Sequence, residues 1–132
     1  MNAVLQSAIL FGLALVGWIV ALRMQLKAVA ARRGMLTEPS VVQTARARVA
    51  GPPNSAIGLA YYSLMMLASP WIHLPAVYSA SVVATLAAAG FSMYLAYSLL
   101  YVTRMSCVLC WTGHVVNWAL LFVLIAARFV GR

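Results

Sequence analysis

Acidic side chains are almost missing from this chain of 132 residues: Glu38 stands alone against nine Lys and Arg, and charged residues make up only 8% of the sequence. A soluble domain of this size could not bury a composition that is 65% hydrophobic, so the scarcity of charge excludes one and leaves lipid as the solvent. A formal charge of +8 would suggest nucleic acid in a soluble protein. In a membrane chain the basic residues set topology and meet anionic lipid headgroups, and no nucleic-acid partner is expected. Met1–Val4 lacks a basic side chain, and the apolar run that follows continues to Leu22 without a convincing cleavage pattern. It therefore reads as a retained first span, not a removable signal. Internal repeats and low-complexity segments are also absent. Cysteine is confined to Cys107 and Cys110.

What is present are apolar runs of membrane length. A crossing helix needs about 20 mainly apolar residues, and spans are expected at about 3–22, 54–69, 76–102 and 105–129. Gly12 and Gly17 are tolerated in the first as close-packing positions. Gly51, Pro52 and Pro53 break the chain before the second, which Asn54 or Ser55 can cap. Pro70 and Pro75 bracket the turn before the third, and Tyr94, Tyr97 and Tyr101 crowd its far end. The fold class expected is an all-α membrane protein, a four-transmembrane-helix bundle forming one domain over residues 1–132. The basic loop 23–53 is longer than a simple connection needs. Within it, Ser40 can cap a short interfacial helix with Val41, Val42, Ala45 and Val49 on one side, Arg46 and Arg48 facing water, and Gly51 as the stop. A disordered basic linker is the other reading.

The sequence Cys107-Val108-Leu109-Cys110 falls in the first turns of the fourth span. At 100° per residue, Cys107, Cys110, His114 and Asn117 share an arc of about 80°. Polar groups inside a membrane usually line a site or pair with one another; alternatively the cysteines are small buried hydrophobes. The thiolate is the reactive form and the unpaired amides at a helix N-terminus stabilise it, which favours Cys107. The pair can close into a disulfide and pass two electrons by thiol–disulfide exchange. A metal carrier using Cys107, Cys110 and His114 is a further reading, although no fourth ligand is evident and one helical face gives poor tetrahedral geometry. Haem attachment requires His directly after the second cysteine, where Trp111 stands.

The segment Asn54-Ser55-Ala56-Ile57-Gly58-Leu59-Ala60-Tyr61-Tyr62, followed about 45 residues on by Cys107-Val108-Leu109-Cys110-Trp111-Thr112-Gly113-His114 and, further along, Asn117, resembles the vitamin K epoxide reductase family. The resemblance covers roughly residues 54–129. It implies a four-helix membrane oxidoreductase that oxidises thiols and reduces a quinone of the ubiquinone or menaquinone type. By that resemblance Cys110 is the catalytic cysteine facing the quinone, and Cys107 the one that exchanges with an incoming thiol. Asn54 hydrogen-bonds a quinone carbonyl, Gly58 and Tyr62 admit and wall the ring, and His114 stands where the family often has tyrosine. Many family members carry a second cysteine pair in the long loop, whereas residues 23–53 have none. A separate thioredoxin-like protein is then the partner that reaches Cys107–Cys110 directly. The competing function is a non-catalytic membrane subunit or assembly factor whose cysteines form a structural bridge.

Orientation adds one more expectation. Arg23, Lys27, Arg32, Arg33, Arg46, Arg48 and Arg104 lie on the side of the cysteines, against Arg128 and Arg132 opposite. The positive-inside rule turns the redox centre toward the cytoplasm. The resemblance implies the periplasmic or extracytoplasmic face, where disulfides normally persist.

Overall fold

A computed structural model describes residues 2–130; Met1, Gly131 and Arg132, the last of these one of the two cations expected opposite the cysteines, lie outside the described residues. Within them the chain is all-helical. Helix α1 is Ala3–Arg32, α2 Asn54–Ala68, α3 Pro75–Tyr97 and α4 Val108–Val130. Three stretches are long and apolar enough to cross a membrane: Ala3–Arg32, Pro75–Thr103 and Val108–Val130. The segment expected as the span 54–69 is helical too. At fifteen residues, α2 is about 22 Å long against a hydrocarbon core of about 30 Å.

Several boundaries depart from expectation. Helix α1 does not stop at Leu22 but runs through Arg23 and Lys27 to Arg32, because the Ala-rich turn Ala28–Ala31 favours helix once begun. The loop is correspondingly shorter. In place of one interfacial helix it holds two 3-10 turns, Val41–Gln43 and Ala45–Arg48. Thr44 divides them, since its backbone is extended (φ −81°, ψ 156°) and its hydroxyl donates to the Val41 carbonyl at 2.7 Å, a local bond that competes with helix continuation. Ala45 and Val49, expected inward, are exposed. Asn54 and Ser55 do not cap α2; Pro53 occupies the cap position, and Ser55 donates instead to Gln25 Oε1 of α1. Beyond Tyr97 the chain winds into a π-helical turn, Ser98–Thr103, and Arg104 ends it in the left-handed conformation at φ 52°.

The core joins Leu10, Ala14 and Ala21 of α1, Tyr62 and Met65 of α2, and Val116, Leu120 and Leu124 of α4. Small residues at positions 14, 17 and 21 let α2 approach α1 closely. A Cβ at Gly17 would collide with the ring of Tyr62, whereas one at Gly12 would meet nothing, so only Gly17 has the close-packing role expected of both. Helix α1 packs between α2 and α4, and α3 lies against the other flank of α4. Helices α2 and α3 scarcely touch. They are linked by Tyr61 Oη donating to Thr85 Oγ1 at 3.2 Å and by Thr85 Oγ1 donating to Met65 Sδ at 3.9 Å, and the gap above these bonds is the site.

Candidate functional site

A cavity of about 840 Å³ occupies the space between α2 and α3, floored by α1 and α4 and overhung by the two 3-10 turns. Its exposed walls are mostly apolar, with Arg32, Arg46, Arg48, Asn54, His114 and Asn117 among the polar residues that line it, and its size suits an organic ligand. Asn54, Gly58, Tyr62, Cys110 and His114 all line it. Five residues expected at the site from the sequence therefore meet in one chamber. Cys107 is not among the lining residues.

The two cysteines form a disulfide with Cα atoms 5.3 Å apart. Cys107 precedes the first residue of α4 and caps it. Its carbonyl accepts from Trp111 N–H at 3.2 Å, and its Sγ accepts from Cys110 N–H, also at 3.2 Å. That is the side-chain-to-N3 geometry of a helix N-cap, with sulfur in the place of oxygen. The sulfur of Cys107 therefore sits where a helix N-terminus favours negative charge. Val108, next to it, is exposed. The disulfide thus has one member at the chamber wall and the other at the helix mouth.

Asn54 stands at the top of α2, where its Nδ2 donates to the Arg46 carbonyl at 2.6 Å and its Oδ1 is buried without a partner. Gly58 faces the chamber, but a Cβ there would contact Ala21 Cβ at 3.4 Å and Tyr62 Cε2 at 3.8 Å; the missing side chain serves helix packing as well as space. Tyr62 is buried with its hydroxyl donating to Asn117 Oδ1 at 2.7 Å. Asn117 passes the bond on, its Nδ2 donating to Ser92 Oγ at 2.6 Å. Tyr62, Asn117 and Ser92 therefore tie α2, α4 and α3 together beside the cavity. His114 is 7% exposed and lies between Trp111, edge-on at 5.9 Å, and Trp118, stacked at 6.4 Å.

Some of this was not readable in advance. Asn117 was visible on the cysteine stripe, but its bonds to two other helices were not. Arg46, expected to face water, donates to Tyr94 Oη with its guanidinium 5.5 Å over the Tyr94 ring, pinning the second 3-10 turn to α3. Ser92 and Ser98 carried no signal, since a serine in an apolar helix is common. Among the described residues, no three His, Cys, Asp or Glu side chains are grouped to hold a metal ion. The comparison with known proteins agrees with the motif reading: the model for the Vitamin K epoxide reductase family matches residues 8–125, nearly the whole chain. No curated protein matches it.

Proposed function

The chain belongs to the vitamin K epoxide reductase family, whose membrane redox role is the premise from which we propose that it is a quinone-dependent thiol–disulfide oxidoreductase. On this reading residues 1–132 form one domain in which α2, lengthened by the turn Ser69–Trp71, is a short fourth span. The two 3-10 turns lie at the membrane interface. A thioredoxin-like partner presents a dithiol; one of its thiolates attacks Cys107, and Cys110 leaves as the thiolate. The partner's second thiol then displaces Cys107, so the partner departs oxidised and Cys107 and Cys110 are left as thiols. A quinone, when bound, accepts two electrons and two protons and leaves as the hydroquinone. Cys110 delivers the electrons from the chamber wall as the disulfide re-forms with Cys107. His114, beside Cys110, is suited to carry a proton. Asn54, with one N–H on Arg46, has a second for a ring carbonyl. Gly58 and Tyr62 bound the ring.

The observation that supports this most is the pairing of a disulfide with a mainly apolar chamber that is lined by one of its two cysteines, Cys110. The fit to a quinone rests on the apolar walls together with the second Nδ2–H of Asn54, whose first is taken by the Arg46 carbonyl. The seven cations at the cysteine end support a cytoplasm-facing centre. To test the function, quinone absorbance is followed while a reduced thioredoxin-like protein is added to the purified chain in lipid. Quinone reduction is expected, and its loss in both Cys107→Ala and Cys110→Ala. Reduction that survives either substitution would favour a structural bridge and sink the enzyme reading.

A further inference from the structure

Arg46 is bonded through its main chain and its side chain to two different helices. Its carbonyl accepts from Asn54 Nδ2 at the start of α2, while its guanidinium reaches the other way, donating to Tyr94 Oη and lying 5.5 Å over the ring of that residue on α3. Tyr94 stacks in turn on Phe91 with ring centroids 6.4 Å apart, and Phe91 lines the chamber. Helices α2 and α3 scarcely touch, so Arg46 joins them above the chamber as Tyr61 and Thr85 join them below it. With no buried residue of its own, the turn Ala45–Arg48 gains no seat from core packing. Among the described residues, the side-chain hydrogen bonds that tie this turn to the helices are the two that Arg46 makes.

The Asn54 amide depends on that seat. Its last torsion has broad, shallow wells, and the N–H held by the Arg46 carbonyl fixes the direction of the other N–H on the same nitrogen. A turn that drifts lets the amide rotate. Tyr94, which holds the turn from α3, is not among the residues that line the chamber and is 42% exposed. Its phenol therefore has no part in enclosing a ligand. Resting on the quinone reading above, we propose that Tyr94 is a positioning residue for the quinone: through Arg46 it seats the turn over the chamber and fixes the Asn54 N–H that meets the ring carbonyl. A side chain outside the site thereby sets the affinity inside it.

The test is binding of duroquinone to the purified full chain in lipid with its disulfide closed, read by tryptophan fluorescence across a set of variants. Arg46→Ala keeps the carbonyl and loses the guanidinium, and Tyr94→Leu loses the phenol. Each is expected to weaken binding about fivefold, the worth of one hydrogen bond. The double variant is expected to bind no worse than either alone, because the two side chains act as one unit. Tyr94→Phe keeps a ring under the guanidinium and loses the hydroxyl, so its affinity falls between. In an Asn54→Ala background, Tyr94→Leu is expected to leave affinity unchanged. A merely structural clasp would lower the melting temperature of Tyr94→Leu and Arg46→Ala and leave their affinity alone. That result overturns the proposal while the quinone reading stands, as does a loss of affinity that persists undiminished without Asn54. Should Tyr94→Leu fail to fold, Tyr94→Phe and Arg46→Ala carry the same comparison. An unmodified chain that neither binds nor reduces duroquinone removes both.

Discussion

At the residue scale, the contact between Gly17 and Tyr62 governs how the chamber is built. Tyr62 has nowhere to retreat: its ring lies against α1 at Gly17 and its hydroxyl is held by Asn117 Oδ1. Tyr62→Phe preserves the ring contact but leaves Asn117 Oδ1 without its donor, a loss of about 1–2 kcal/mol. Gly17→Ala forces the ring to shift and breaks both contacts, so the larger loss, about 2–3 kcal/mol, is expected there. Thermal unfolding in detergent checks the order of the two, and a Gly17→Ala protein as stable as Tyr62→Phe would refute it. In the sequence the two cysteines stood out by their spacing, and Tyr62 through the family resemblance. Nothing in it singled out Ser98 as a lining residue, because a serine in an apolar helix looks the same whichever way it faces. His114 was legible as a polar residue on the right stripe, while its position between Trp111 and Trp118 depends on rotamers that no helical wheel supplies.

At the element scale, the ends of helices were read less well than their existence. Proline and glycine marked the start of α2 and the turn before α3, and those boundaries hold within a residue or two. The run Ser98–Thr103 holds neither glycine nor proline, so nothing in its composition announced a π turn or the left-handed Arg104 after it. Likewise Arg23 and Lys27 signalled a helix end to a hydropathy reading. Backbone bonding is indifferent to that signal, and α1, at 30 residues about 45 Å long, exceeds a hydrocarbon core of about 30 Å. Arg104 offers a direct measurement. A non-glycine residue at φ 52° bears a steric penalty of about 1–2 kcal/mol, partly offset in glycine by the greater freedom of its unfolded chain. Arg104→Gly is therefore expected to raise the unfolding free energy by up to about 1 kcal/mol, seen as a higher melting temperature. A lower one would mean that the bond from Arg104 Nε to the Tyr101 carbonyl outweighs the strain.

At the scale of the whole molecule, the cations of the chamber rim and of the α3–α4 connection, Arg32, Arg46, Arg48 and Arg104, gather at the end that carries the disulfide. At the far end Arg128 lies 5.9 Å over the Tyr78 ring. A C-terminal reporter active only in the cytoplasm is expected to be silent, and one active only outside the cytoplasm to respond. The reverse result would turn the cysteines outward. The same asymmetry was plain in the sequence, because counting charges near helix ends needs no coordinates. The gap between α2 and α3 was not, since four apolar spans close equally well into a complete ring on paper. On the quinone reading proposed above, that gap is a side door. A ring dissolved in the bilayer would arrive there by lateral diffusion in two dimensions, so its occupancy would follow its mole fraction among the lipids and not its molarity in the surrounding water.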